Sequence, residues 1–551
     1  MKSLQKYSRS SGVLMPIPSL HGPFGIGVLG AEAREFIDFL SEAGFHAWQV
    51  LPVEHTGTCF SPYRCISTNA GEPMLIDPRM LLEMGLISSD ELYDRAEGTN
   101  GSSVNYELVR YKQWELLRTA FSRLGSGTPY ADFDPFWLED YALYMAISQQ
   151  HDFLPWFMWP EEPLRAREPD ALKAAAERLR EDVSFFKFVQ WLFDKQWTIL
   201  KNYAAKREIT IIGDMPIYVS WDSVEVWARR DLFNMDSDGK FPAVGGVPPD
   251  YFNEDGQRWG DPIYNWKLMK EENFEWWTDR IRGAITRYDI VRIDHFRAFA
   301  SYWRIPSKSP TAKAGRWVKG PGIALFDAME NALGSLPVIA EDLGVFGKDV
   351  EELLKHTGFR GMRVMQFGFS EGDDYHSPHS FTQYHVAYTG THDNATMLEW
   401  LFEISPENRE QALIYLGFEG DWTHGGPNSA ISKAWMRSLL TSGASLTIVP
   451  IQDLLGYGAD TRTNTPGTLG GSNWRFRIRG EALHELDVGY YRKLIKFTFR
   501  DNPLADKDDT AGAASDAAAA EAEEIVIYDE ADMTPEWDEY EEEPDEEEGE
   551  S

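Results

Sequence analysis

Eight short apolar runs recur along the chain, each ending in a polar or turn-forming residue, at 12–17, 47–52, 209–214, 290–294, 338–341, 363–367, 385–389 and 446–450. Stretches patterned for amphipathic helices separate them, among them 31–43, 275–287, 326–333 and 348–355. A short apolar run bounded by turn signals reads as a buried strand, and strands that alternate with helices pair in parallel through helical crossovers. Eight such units predict an α/β fold, a (β/α)8 TIM barrel, with its functional site where the carboxyl ends of the strands converge.

Two spans interrupt the alternation. Residues 79–203 are rich in helix formers and aromatics without a strand pattern, and they predict helical subdomains inserted after a strand, where they would wall the cleft. Residues 234–266 contain several Gly and Pro and predict a long surface loop, a length that usually signals function. The barrel unit is expected to cover 1–499. Beyond Phe499 the periodicity stops, and 501–551 carry 22 Asp or Glu against the single Lys507. Such a composition cannot bury a core, so 500–551 are expected to form a disordered, solubilising acidic tail.

That tail holds −21 of the formal net charge of −35, leaving −14 on the rest. An acidic body argues against nucleic-acid binding, which concentrates Lys and Arg. Residues 1–12 are polar and lack a secretory pattern, and no apolar run reaches membrane-spanning length. Cys59 and Cys65 flank one turn; two cysteines make no disulfide framework, and no His/Cys cluster has metal-ligand spacing. The expectation is a cytoplasmic protein with free thiols, no metal, no cofactor and no membrane partner.

Three acidic residues stand at candidate strand ends: Asp294 in Arg292-Ile-Asp-His295, Glu341 in Ala340-Glu-Asp-Leu-Gly344, and Asp393 in Gly390-Thr-His-Asp-Asn394. Cleaving a glycosidic bond takes two carboxyl groups, one protonated and one acting as nucleophile or base. A single Asp at a strand end commonly serves as a cap or ion-pair partner. Three together, each beside His, Arg or Asn, favour a site. Arg292 lies two residues before Asp294, so both side chains face the barrel interior or mouth, where Arg292 would keep Asp294 ionised. Glu341 beside that charge would have its pKa raised, which suits a general acid. Aromatic residues make up 13% of the chain, with polar-flanked Trp259, Trp266 and Trp474. Their faces suit sugar rings, although most such side chains build cores.

The motifs together resemble one family. Phe24-Gly-Ile-Gly27, Trp48-Gln-Val-Leu-Pro52, Ser61-Pro-Tyr63, Gly213-Asp-Met-Pro-Ile-Tyr-Val219, Gly256-Gln-Arg-Trp-Gly260, the three acidic motifs, Asn464-Thr-Pro-Gly467 and Asn473-Trp474 occur in its order. Over residues 12–477 the chain is similar to the amylomaltases, glycoside hydrolase family 77, relatives of the α-amylases. The resemblance implies a 4-α-glucanotransferase that moves α-1,4-glucan segments from maltooligosaccharide or starch-type donors to glucose or another glucan. It implies Asp294 as nucleophile, Glu341 as acid/base, and Asp393 as a third carboxylate that grips the ring. It further implies that Tyr63, Asp214, Arg292 and His392 line the donor pocket, and that segments bearing Trp259, Asn464 and Pro466 fold over the glucan. Covering a covalent intermediate excludes water and favours a sugar acceptor. The chain departs from the family pattern at Glu72, Asp261 and Thr463. The bare carboxylates would equally serve a retaining α-glucan hydrolase, and a non-catalytic glucan-binding protein would need none of them.

Overall fold

In the computed structural model the described residues are 9–99, 101–124, 129–236, 239–249, 253–344, 347–369 and 375–501. The acidic tail expected at 500–551 lies outside them apart from its first two residues. The strands in chain order are β1 (Ser10–Leu14), β2 (Ala47–Gln49), β3 (Thr210–Met215), β4 (Ala243–Val247), β5 (Gln257–Pro262) and β6 (Ile290–Ile293). They continue with β7 (Ser301–Pro306), β8 (Arg316–Lys319), β9 (Val338–Ala340), β10 (Arg360–Val364), β11 (His385–Tyr388) and β12 (Leu446–Pro450).

Eight of these close a parallel barrel in the order β1-β12-β11-β10-β9-β6-β3-β2, so the TIM-barrel reading holds. All eight expected runs overlap a barrel strand; 446–450 matches end for end, four others differ by one residue at one or both ends, and those at 12–17, 47–52 and 363–367 differ by two or three. The first strand starts at Ser10 because Ser10 and Ser11 are fully buried and pair with Leu446 and Thr447 on β12. It stops before Pro16 and Pro18, which cannot donate to a ladder. The run at 363–367 is really β10, three residues earlier, followed by a 3-10 turn at Met365–Phe369. Gly361 sits inside the strand. A Cβ there would lie 2.3 Å from the Asp342 carboxylate, which accepts the Met362 N–H at 2.6 Å.

Alternation sorts the strand side chains into two cores. Leu14, Ile212, Ile290, Met362, Val386 and Ile448 fill the barrel, while Val291, Ile293 and Val449 face the surrounding helices. The helix Ala31–Ala43 illustrates the outer packing: Phe36, Ile37 and Leu40 are fully buried, and Gly44 at φ 85° ends it. Between β2 and β3 the chain runs through helices including Tyr106–Ser122, Leu138–Gln150 and Arg180–Lys206.

The span 234–266 corrects an expectation. It is not only loop: it carries β4 and β5, which join β7 and β8 in an antiparallel sheet of order β5-β4-β7-β8. Glycine masked the strand pattern. A Cβ at Gly245 would press on the Tyr218 ring at 2.8 Å, and one at Gly246 would meet the Gln257 carbonyl oxygen at 2.1 Å. Close approach therefore demands the residues that read as turn signals.

Candidate active site

The carboxyl ends of β3, β6, β9 and β11 bring the expected residues together. Asp214 on β3 and Arg292 on β6 are neighbours in the parallel register. Arg292 Nη1 donates to both Asp214 oxygens at 2.7 Å, and its Nη2 lies 3.0 Å from Asp294 Oδ1. One guanidinium thus serves two carboxylates, and it is held well above its ordinary pKa by the surrounding Asp214, Asp294, Tyr63 and Glu341, against burial. Tyr63 donates its hydroxyl to Asp214 Oδ2 at 2.7 Å and stacks on His392 with ring centroids 5.1 Å apart.

Burial raises the Asp294 carboxyl above the usual carboxylate range, with Arg292 opposing. Arg292 acts in the expected direction, favouring the ionised form of Asp294, but its guanidinium is shared with Asp214 and burial of the carboxyl opposes it. Asp294 nevertheless keeps 28% of its side chain open to the cleft. Glu341 is pushed up further, first by burial and then by the negative charge of Asp294. Its oxygens accept the N–H groups of His295 at 2.8 Å and Leu343 at 2.7 Å, which pull the other way.

Asp393 is half exposed, held from behind by Asn464 Nδ2 at 2.6 Å and with His392 Nε2 at 3.5 Å. Asn464 also donates its N–H to the His392 carbonyl at 3.1 Å. Trp259, on β5, packs edge-on against His295 at 4.9 Å and touches Tyr218 at 6.1 Å. Every expected site residue except Pro466 is tied into this network; Pro466 stands in an exposed turn closed by Thr468 N–H on the Thr465 carbonyl at 3.3 Å. The loops that carry Trp259 and Pro466 approach one another: a Cβ on Gly467 would be 3.8 Å from Asn253 Nδ2.

Sequence reasoning left three residues without a role here. Trp474 has φ 67° and places its ring 5.7 Å from Tyr63 and 5.9 Å from His392, while Tyr106 of the helical insertion donates to its carbonyl at 2.7 Å. His295, at φ 50°, turns its N–H toward Glu341. Arg64 donates to the Trp259 carbonyl and lies 3.9 Å from Asp261. The motif Asn473-Trp474 was a usable signal for the first; nothing in the sequence joins Arg64 to Trp259.

The three departures are structural in different ways. Glu72 is buried and accepts the Thr56 N–H and hydroxyl at 2.8 and 2.7 Å and the Met74 N–H at 3.1 Å. Thr463 accepts from Gln452 Nε2 at 2.8 Å, pinning the loop that follows. Asp261 is pushed up to about 6 by burial, with Arg64 opposing. Cys59 and Cys65 are free thiols, and among the described residues no group of His, Cys, Asp and Glu is placed to hold a metal ion.

Paired carboxylates steered by a buried arginine at the mouth of a (β/α)8 barrel define an enzyme of glycosidic bonds. The comparisons narrow that class. The family model described as 4-alpha-glucanotransferase, glycoside hydrolase family 77, matches residues 15–483. A 4-alpha-glucanotransferase of Thermus thermophilus is 43% identical over 85% of this chain and 95% of its own. A chloroplastic/amyloplastic 4-alpha-glucanotransferase of Arabidopsis thaliana is 42% identical over 85% of this chain and 81% of its own. The solved amylomaltase from Streptococcus agalactiae in complex with acarbose is 39% identical, with a TM-score of 0.85 over 90% of this chain and all of its own. The chain belongs to glycoside hydrolase family 77, the 4-alpha-glucanotransferases.

Proposed function

We propose that this 4-alpha-glucanotransferase works by double displacement at Asp294 and Glu341. Asp294 Oδ1 is engaged by Arg292, which leaves Oδ2 to attack the anomeric carbon of a bound α-1,4-glucan. Glu341 gives its proton to the departing 4-oxygen, and the non-reducing segment stays as an ester on Asp294. The acceptor is the 4-hydroxyl of glucose or of another glucan. Glu341, now ionised, takes the proton of that hydroxyl as its oxygen attacks the same carbon and frees Asp294. Asp393, backed by Asn464, grips the ring hydroxyls and strengthens its hold as the ring flattens. Tyr63, Asp214, Arg292 and His392 bound the donor side. The segments bearing Trp259, Asn464 and Pro466 fold over the glucan, and the mechanism needs neither metal nor cofactor.

The observation that carries this reading is geometric: Asp294 is held at Arg292 at 3.0 Å, and the next residue, His295, donates its N–H to Glu341 at 2.8 Å, which sets the two carboxyls side by side. The close approach of the two loops at Asn253 and Gly467 supports transfer over hydrolysis, because a covered ester meets a bound sugar before it meets water. A cytoplasmic location rests on the free thiols; among the described residues no helix is long and apolar enough to cross a membrane.

The test is incubation with maltotriose, followed by product separation and a count of new reducing ends. A ladder of longer maltooligosaccharides plus glucose, with reducing ends nearly constant, is expected. Reducing ends that rise with bond cleavage and no longer products would make the protein a hydrolase. No products at all would leave a glucan-binding protein.

A further inference from the structure

Seven residues past Asp214, on the segment that leaves β3, Trp221 lies 43% exposed. Its indole rests on Phe157 with centroids 4.1 Å apart at 40° and touches Phe241 at 6.1 Å. Beside Phe157, Phe153 is 50%, Leu154 42% and Met158 57% exposed. An apolar cluster of this kind on the surface asks for an occupant.

The cluster is rigid. Trp156 Nε1 donates to the Trp221 carbonyl at 2.9 Å, and Asp222 Oδ1 accepts the Trp156 N–H at 3.1 Å and the Tyr144 hydroxyl at 2.9 Å. The helical insertion and the β3 segment are thereby clamped together, and the ring needs no reordering on binding. It also stands close to the cleft. Ser220, next to Trp221, lines a small pocket that Asp214 and Tyr63 of the donor side line as well. Phe241 lies just before β4, whose partner β5 carries Trp259. Four residues of extended chain from Phe241 to Gly245 span about 13 Å, so the platform stands a short way from the covered end of the cleft.

We propose that Trp221 and Phe157 form a second binding site, a platform for the distal part of a long α-1,4-glucan whose end occupies the cleft. The two tilted rings make a shallow angled face that suits a curved chain of sugar rings, each offering an apolar face to an aromatic plane. The proposal rests on the glucan-transfer reading above. It assigns the platform to chain-length preference and gives it no part in bond cleavage, so a trisaccharide seated across the scissile bond does not reach it.

The experiment compares wild type, W221A, W221F and F157A on maltotriose and on amylose, and measures retardation of each in native gels containing amylopectin. W221A is expected to raise KM for amylose about three- to tenfold and to migrate faster in amylopectin, while its kcat/KM on maltotriose stays within twofold of wild type. W221F, which keeps a ring, should recover most of the loss, and F157A should show a smaller change in the same direction. If W221A misfolds, F157A and W221F carry the comparison. Unchanged amylose kinetics in W221A and F157A would overturn the platform, as would equal changes on both substrates. A shift in oligomeric mass with unchanged KM would also overturn it, assigning the face to a second copy of the chain. A wild-type protein that makes no ladder from maltotriose would defeat the transfer reading instead, which separates the two failures.

Discussion

The backbone N–H of His295 donates to Glu341 Oε2 at 2.8 Å, so the residue directly after Asp294 positions the second carboxyl of the pair. His295 reaches that orientation only at φ 50°, a left-handed conformation that costs an L-residue about 1–2 kcal/mol. The hydrogen bond ties the two strand ends to one another, and the nearby charge of Asp294 makes the ionisation of Glu341 depend on it.

That dependence has a sign. In the proposed mechanism Glu341 acts as the acid and must be protonated, and burial plus Asp294 raise it above the ordinary glutamate value of about 4.3. Activity should therefore persist well above that pH and fall as pH rises through the raised value. In Asp294→Asn the like charge is gone and Glu341 should titrate at lower pH. Carboxyl carbon-13 titration of Glu341 in the two proteins checks this; an unchanged midpoint would show that burial acts alone.

Separate roles for the two carboxyls predict different responses to the leaving group. With maltotriose, Asp294→Asn and Glu341→Gln should each lose about a thousandfold or more in kcat at unchanged circular dichroism. With α-maltosyl fluoride, whose fluoride departs without a proton, Glu341→Gln should still form the ester while Asp294→Asn should not. Mass spectrometry of the quenched protein distinguishes them, and an ester on the Asp294 variant would move the nucleophile elsewhere.

Arg64 holds the Trp259 hairpin to the turn that carries Tyr63, through the Trp259 carbonyl and Asp261 at 3.9 Å. Arg64→Met should loosen the cover, raising new reducing ends per transfer event several-fold while leaving maltotriose cleavage within a few-fold of wild type. Asp261, pushed up to about 6 by burial, becomes neutral as pH falls through that value and stops attracting Arg64. The hydrolytic share should accordingly grow below about pH 6 in wild type and stay flat in Asp261→Asn. A flat wild-type profile would remove Asp261 from this role.

Asn464 supports both Asp393 and the loop bearing Pro466. Asn464→Ala should raise KM for maltotriose about ten- to hundredfold, as expected for losing a hydrogen bond to a charged group worth about 1.5–3 kcal/mol, and increase hydrolysis as well. Asn464→Asp, which sets a charge beside Asp393, should do worse. Steady-state kinetics with both products counted tests the pair; equal behaviour of the two variants would argue that Asn464 acts only through the loop.

How much of this was legible depended on local pattern. The barrel strands could be read because β-branched runs such as Ile290–Ile293 end in polar residues, and the alternation of Ile290 and Arg292 with Val291 and Ile293 survives into the inner and outer cores. Asp294, Glu341 and Asp393 stood out for the same reason, at strand ends. The second sheet was hidden because β4 reads Ala-Val-Gly-Gly-Val and its glycines answer to Tyr218 and Gln257 rather than to a turn. Arg64 was invisible in its role because its partner Trp259 lies 195 residues away and is met through a carbonyl, which any residue provides. The raised pKa of Asp294 was likewise hidden, because it comes first from burial at the barrel mouth, which a strand-end position does not announce.

The four-stranded sheet also limits how this enzyme could be taken apart. In it β4 is central, pairing with β5 on one side and, through Ala243, Val244, Gly245 and Gly246, with Pro306, Ile305, Arg304 and Trp303 of β7 on the other. The hairpin that presents Trp259 is therefore not a portable module. Grafted alone onto another barrel it would arrive with one side of β4 bare, an unpaired edge inviting other chains. A working transplant would have to bring residues 301–319 as well, which in this chain begin only seven positions beyond Asp294.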